Sequence, residues 1–263
     1  MSQKQRPQQS APAKKGGGNR AFLIVIALIV VAGVGWLVMA RGGGIGSTTA
    51  LPTPQEFEGI AATVEADKSS GLVQGSPDAP VEILEFADYS CPHCGTFSGF
   101  AGKLLRQNYV EPAGGPVRWI TFDFVLGGFP NTVSASMAAR CAGEQGAYWA
   151  YHDMLFSRQN QWARSPNPEG AFNEIAEDVG LDTGQWGECM TEGRYIEQIA
   201  AARKYGESLG VGSTPTLFIN GERIDLGGVE PYSHIEGLIQ AELAASSDGS
   251  EGAATGGDSG GGR

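Results

Sequence analysis

Cysteine and histidine are scarce in this chain, which has four cysteines and three histidines in 263 residues. A structural zinc site usually needs four such ligands, for example two Cys-X-X-Cys pairs or one pair with two spaced histidines. This sequence has one Cys-X-X-Cys, and the histidine beside it lies inside the loop itself. We therefore expect no metal site and no cofactor, and the cysteines need another explanation.

A surplus of positive charge is also missing, since 18 basic residues face 29 acidic ones. Proteins that bind nucleic acid do so largely by neutralising phosphates with lysine and arginine. Nucleic acid is therefore not an expected partner. The excess of acidic residues is typical of a soluble surface.

Acidic residues are absent from the first 55 positions, which contain the longest apolar run of the chain, Ala21 to Ala40. About 20 uncharged residues are enough to span a bilayer as a helix. Five basic residues precede the run and only Arg41 follows closely, so the positive-inside rule predicts a cytoplasmic N-terminus and an extracytoplasmic remainder. A cleaved signal peptide is the alternative, but its apolar region is normally shorter.

The rest of the chain predicts one α/β domain. Strands are expected at VEILEFA (81–87) and VRWITFDF (117–124), with a helix at 92–109 between them. Helical patterns fill 131–209, and a strand at 214–220, an Asn220-Gly221 turn and a last helix at 232–243 follow. The resulting boundaries are a basic tail (1–20), a transmembrane helix (21–40), a linker (41–70), a folded domain (71–245) with a helical insertion at about 130–210, and a disordered tail (246–263).

The loop Cys91-Pro92-His93-Cys94 follows the first predicted strand and opens the first helix. A cysteine at a helix N-terminus lies near unpaired N–H groups, which favour the thiolate. Cys91 is therefore the expected nucleophile, and Cys94, one turn later, is expected to resolve the mixed disulfide. His93 is expected to stabilise the thiolate further. A purely structural disulfide is the alternative, but so short a loop adds little stability.

Two other positions are candidates for this chemistry. Glu85, a carboxyl in an otherwise apolar strand, is a candidate proton acceptor for Cys94, although it could also pair locally. Thr214-Pro215 begins a later strand, and a cis peptide bond there would bring Thr214 beside the dithiol and leave its backbone free to pair with an extended substrate.

The remaining cysteines, Cys141 and Cys189, each lie on a predicted helix of the insertion. Outside the cytoplasm they are expected to form a structural disulfide that closes a long loop. Two buried free thiols are the alternative.

Three stretches together resemble the DsbA-like thiol:disulfide oxidoreductases, in particular membrane-anchored bacterial members. They are GSPDAPVEILEFADYSCPHC, AARCAGEQGAYWAYHDMLF and GVGSTPTLFINGERI. The resemblance implies a thioredoxin fold, with a mixed central sheet, flanking helices and the helical insertion over the dithiol. It also implies Cys91 as nucleophile, Cys94 as resolving thiol, Glu85 as buried acid and Thr214-Pro215 as a cis-proline loop.

From these residues we expect an enzyme that donates disulfides to unfolded or reduced exported proteins and is reoxidised by a membrane quinone-linked partner. That partner is implied by the family alone. Threonine stands before the proline where the best-known periplasmic oxidant has valine, so an isomerase or reductase stays open. The non-enzymatic alternative is a thioredoxin-fold module that binds extended peptides or acts as a chaperone.

Overall fold

A five-stranded mixed sheet organises the domain. The computed structural model describes residues 51–226, 228 and 230–254, with side chains as far as Ser247. The strands are β1 (Leu72–Gln74), β2 (Val81–Ala87), β3 (Val117–Asp123), β4 (Thr216–Ile219) and β5 (Glu222–Ile224), in the order β1-β3-β2-β4-β5. Only β2 and β3 are parallel; the other neighbours are antiparallel. The most apolar strand, β2, is therefore central.

Helices cover both faces of the sheet and form the insertion. They are α1 (Pro54–Ala61), α2 (Pro92–Phe97), α3 (Lys103–Tyr109), α4 (Thr132–Gly143), α5 (Tyr148–Ser157), α6 (Gln159–Trp162), α7 (Glu169–Asp178), α8 (Thr183–Glu192), α9 (Ile196–Ser208) and α10 (Pro231–Ala254). A π-helical segment, Ser98–Gly102, joins α2 to α3.

Alternation along the strands divides the core into two layers. Val81 and Ile83 of β2 lie in one layer, with Leu105 of α3 and Ile235 of α10. On the opposite face, Phe86 stacks on Phe122 of β3, with 4.8 Å between ring centroids, and α9 covers both. Because β2 is buried on both sides, its carboxyl end holds the dithiol loop in a fixed position.

The helical insertion has its own core and is joined to the sheet by a buried ion pair. Nε of Arg140 on α4 donates to Asp123 at the end of β3 over 2.6 Å, and its Nη2 donates to the carbonyl of Ser70 over 2.7 Å. Both charged side chains are at most 5% exposed. Within the insertion, Cys141 and Cys189 form a disulfide that joins α4 to α8, with 5.8 Å between their Cα atoms.

The predicted α/β fold with a helical insertion is confirmed, but several boundaries differ. Within the segment 41–70, where the sequence predicts a linker with a short helix at 55–68, the structure has α1, which begins with a capping box of Thr53 and Glu56 and packs Phe57 into the core. The short edge strand β1 was not predicted. The disordered tail predicted from 246 is wrong at its start, since α10 continues to Ala254.

The predicted transmembrane helix, Ala21–Ala40, and the basic tail before it lie outside the described residues. Among the helices that the structure does describe, none combines the length and apolar character needed to cross a bilayer.

Candidate active site

The dithiol loop sits where β2 ends and α2 begins. Cys91 takes the N-cap position of α2 with extended backbone angles, and Pro92 occupies the first turn, where its missing N–H costs nothing. The carbonyl of Cys91 accepts from Gly95 N over 3.1 Å, which closes the first turn. Cys91 and Cys94 are both free thiols and are buried, Cys91 being 4% exposed. The structure is thus that of the reduced protein.

Cys91 is held as a thiolate. A hydrogen bond from the Cys94 thiol is the largest cause that lowers the pKa of Cys91 to about 5; burial opposes it, and Thr214 and the N–H groups of Cys94 and His93 add to the lowering. Because this pKa is depressed, the thiolate stabilises the folded reduced protein fully above the pKa of an unfolded cysteine. That stabilisation is lost as pH falls toward 5.

Cys94 behaves in the opposite way. Burial, followed by the hydrogen bond to Cys91 and the charge on Cys91, raises its pKa well above the usual value. Its sulfur accepts a hydrogen bond from the Asp88 N–H at 3.5 Å. One thiol is therefore ready to attack or to leave, while the other keeps its proton.

Thr214-Pro215 lies beside the dithiol. The peptide bond between them is cis, and the Thr214 carbonyl is 3.6 Å from Cys91 Sγ. The loop therefore places a backbone segment next to the reacting sulfur, as the resemblance implied.

The part of His93 that the structure shows at Cys91 is its backbone. Its side chain is exposed and lines a groove beside the dithiol, and its backbone N–H helps to lower the pKa of Cys91. The predicted stabilisation by the imidazole stays a prediction.

Glu85 is buried on β2, but its partners are on β3. One carboxylate oxygen accepts from Trp119 Nε1 at 2.9 Å and from Thr121 Oγ1 at 3.1 Å, and the other has no hydrogen-bond partner. The local pairing left open by the sequence is thus present. No hydrogen bond joins this carboxyl to either cysteine among the described contacts.

Sequence reasoning missed two residues that hold the dithiol loop. Asp88 caps the loop through its carboxylate and its backbone. Gln159, on α6 of the insertion, donates from Nε2 to the carbonyls of Tyr89 at 2.7 Å and Cys91 at 2.9 Å. An aspartate directly after a buried strand could have been recognised as a cap. Gln159 carried no sequence signal, because its role depends on how the insertion folds back over the loop.

An open groove of about 630 Å³ runs beside the dithiol, between α2 and the cis-proline loop. Its apolar lining includes Phe97, Phe100, Leu226 and Pro231, and Glu230 adds a charge. Phe100 is 62% exposed. An aromatic side chain exposed in a groove is typical of a surface that binds extended polypeptide. In the part of the chain that is described, no three metal-ligating side chains come together.

Comparison with known proteins agrees with this geometry. The family model described as thioredoxin matches residues 67–240. BdbD of Bacillus subtilis in its oxidised form superposes with a TM-score of 0.59 at 20% identity, over 69% of this chain and 97% of that one. DsbA of Chlamydia trachomatis superposes with a TM-score of 0.57 at 19% identity, over 66% and 91%.

Two curated relatives are similar in sequence. The chain is 31% identical to "Na(+)/H(+) antiporter NhaA 3" of Salinispora tropica over 71% of its own length but only 26% of that protein. It is 23% identical to "Putative protein-disulfide oxidoreductase" of Rickettsia bellii over 63% of its length and 62% of that protein. The chain therefore spans between a quarter and two thirds of these relatives.

The family match covers well over half of the chain, and the two solved structures superpose over about two thirds of it. The chain therefore belongs to the thioredoxin family, and its fold is that of the DsbA-like proteins.

Proposed function

We propose that this protein is a thiol:disulfide oxidoreductase that donates the Cys91–Cys94 disulfide to reduced exported proteins as they fold. The observation that carries the proposal is the contrast between two thiols one helical turn apart. The pKa of Cys91 is lowered to about 5 and that of Cys94 is raised. Such an asymmetric pair beside a backbone loop and an apolar groove is what stepwise disulfide exchange requires.

The proposed reaction has two steps. A substrate thiolate attacks Cys91 Sγ of the disulfide, the Cys91–Cys94 bond breaks, and Cys94 leaves and takes up a proton. A second substrate thiolate then attacks the substrate sulfur of the mixed disulfide, so that Cys91 leaves as a thiolate. The substrate loses two electrons and the protein dithiol gains them.

The low pKa of Cys91 favours donation of disulfides over reduction. A stabilised thiolate makes the reduced protein more stable relative to the oxidised one, and the disulfide is then a stronger oxidant. An isomerase or reductase is thus the less favoured proposal.

The proposal extends to location and partner. We infer that Ala21–Ala40 anchors the protein with the catalytic domain outside the cytoplasmic membrane, and that a membrane quinone-linked partner reoxidises it. The disulfide between Cys141 and Cys189 supports an extracytoplasmic location, because disulfides persist in oxidising compartments.

Two assays with the full chain test whether the protein donates or reduces disulfides. One follows the oxidation of a reduced, unfolded protein that needs disulfides, and the other follows the reduction of insulin. We expect fast oxidation and slow reduction. Fast reduction without oxidation would reverse the assignment. Peptide binding without any thiol exchange would favour the binding-module alternative, for which the groove is the supporting observation.

Phe100 tests whether the groove binds substrate. We expect Phe100→Ser to raise the KM for an unfolded protein substrate roughly tenfold, because truncating an aromatic anchor typically costs about 1–2 kcal/mol. Oxidation of a small dithiol, which is too small to fill the groove, should be unchanged. Leu209→Ser, which removes another exposed apolar side chain (38% exposed) that does not line the groove, is the matched control. Equal effects of both variants, or none for Phe100→Ser, would contradict the role of the groove.

A further inference from the structure

Two buried carboxyls lie close to the dithiol in sequence, and they have different surroundings. The hydrogen bonds of Glu85 go to Trp119 and Thr121, both on β3. Asp88, three residues before Cys91, is fully buried and bonded to the dithiol loop itself. The two carboxyls therefore differ in their hydrogen-bond partners: those of Glu85 lie on the neighbouring strand, whereas those of Asp88 include the dithiol loop.

The backbone of Asp88 contacts both cysteines. Its carbonyl accepts from Cys91 N at 3.0 Å, and its N–H donates to Cys94 Sγ at 3.5 Å. A shift of the Asp88 backbone would therefore alter the hydrogen bonds of both Cys91, at the start of α2, and the resolving sulfur of Cys94.

The side chain of Asp88 joins three segments. One carboxylate oxygen accepts from Ser90 N at 2.8 Å and from Thr132 Oγ1 at 2.7 Å, and the other accepts from Leu126 N at 3.0 Å. Two of these partners are backbone N–H groups, which can only donate. The hydroxyl of Thr132 favours the carboxylate by donating to it, but it is the one partner that can turn to accept a hydrogen bond from a protonated Asp88. The site can therefore hold this carboxyl in either protonation state.

We propose that Asp88 is the acid that exchanges a proton with the redox reaction: it takes up a proton when the Cys91–Cys94 disulfide is reduced and releases it when the disulfide forms. This inference rests on the proposed function. Of the two protons that a substrate dithiol gives up, one goes to Cys94 and the second to Asp88. At a pH well above the range in which Asp88 titrates, the second proton goes to water.

Electrostatics support this assignment. The pKa of Asp88 is raised to about 6, mainly by burial; hydrogen bonds from Leu126, Thr132 and Ser90 oppose the rise, and repulsion by the Cys91 thiolate contributes a smaller part of it. That repulsion disappears when Cys91 is in a disulfide, so Asp88 binds its proton more weakly in the oxidised protein. The other titratable or charged groups on the elements around it include Cys94 of α2, Glu85 of β2, Asp123 of β3, Arg140 of α4, Tyr148 and His152 of α5, and Tyr89 of the loop. Arg140 is already paired with Asp123.

The test is reduced-minus-oxidised infrared difference spectroscopy of the full chain between pH 5 and pH 8. We expect a C=O stretch of a protonated carboxyl to appear on reduction near pH 6 and to vanish by pH 8. Over the same range, the reduction potential should report more than one proton taken up per two electrons near pH 6. Asp88→Asn should remove the band and reduce the uptake to one proton per two electrons. Glu85→Gln, the matched control, should keep both the band and the extra proton uptake.

Thr132 gives a second pair of variants if Asp88→Asn does not fold. Its hydroxyl hydrogen bond lowers the pKa of Asp88. Thr132→Val should therefore move the carboxyl signal to higher pH, and Thr132→Ser should leave it in place. A signal that does not move in Thr132→Val would overturn the proposal. So would a band lost in Glu85→Gln but kept in Asp88→Asn, or no band at any pH in a protein that exchanges thiols. If the wild-type protein performs no exchange, the proposed function itself fails.

Discussion

A Cys94→Ala variant is expected to remain covalently bound to its substrate through Cys91. The Cys91 thiolate attacks a disulfide of the substrate and one substrate sulfur leaves as a thiolate, but no Cys94 thiol is left to release the mixed disulfide that forms. Disulfide donation should fall by roughly a thousandfold or more, the scale expected when one member of a catalytic unit is removed. The Cys94 thiol is also the largest cause of the lowered pKa of Cys91, so that pKa should rise in the variant. The thiolate is then a smaller fraction of Cys91 near pH 6.

The adduct is measured by non-reducing electrophoresis and mass spectrometry after incubation of the reduced variant with an unfolded protein that carries a disulfide. A Cys91→Ala, Cys94→Ala double variant should form no adduct, because the attacking or attacked sulfur is gone. Adducts that map to Cys141 or Cys189, or a Cys94→Ala variant with normal turnover, would contradict the roles given to the two cysteines.

The disulfide of the insertion is expected to make a large contribution to the free energy of unfolding. Cys141 and Cys189 are 48 residues apart and both fully buried. In the chain-entropy description, closing a loop of that length restricts the unfolded state by about 4 kcal/mol. We expect a Cys141→Ala, Cys189→Ala double variant to lose about that much free energy of unfolding.

Urea unfolding of the oxidised wild-type protein and the double variant measures the difference. The matched control is Cys91→Ala with Cys94→Ala, which removes only a very short loop and should cost much less. A loss below about 1 kcal/mol in the insertion variant would mean that the denatured chain is already restricted there.

The sequence predicted those parts of the molecule that depend on local pattern. The run from Val81 to Ala87 is apolar enough to be a central strand, and it is one. A proline after Cys91 fits only the first turn of a helix, and α2 begins there. Asn220-Gly221 predicted a tight hairpin, and both residues have positive φ.

Features that depend on tertiary packing were not predictable in the same way. The sequence predicted one uninterrupted helix at 92–109. The structure has a π-helical turn at Ser98–Gly102 within it, and Phe100 of that turn is exposed in the groove. Gln159 reaches the loop only because the insertion folds over it. The three-residue edge strand β1 is too short for a periodic signal.

The same distinction, between what local pattern predicts and what depends on tertiary packing, applies to the candidate site. The two cysteines and the Thr214-Pro215 loop were found because their motifs are distinctive. The part played by the His93 imidazole stays a prediction, because the spacing of the motif does not determine where that exposed side chain lies. Asp88 was missed because an acid in a turn is usually a cap, and only the folded structure shows it bonded to both cysteines and to the insertion.

The most direct test of the whole account is titration of the Cys91 thiolate in the reduced full-length protein, followed by its ultraviolet absorbance, with Cys91→Ala as the blank. We predict a single ionisation with a pKa near 5, because the Cys94 thiol, Thr214 and the helix N–H groups all stabilise the thiolate. An ionisation near that of a free cysteine, at about 8.5, would contradict the claim that this site is built to donate disulfides.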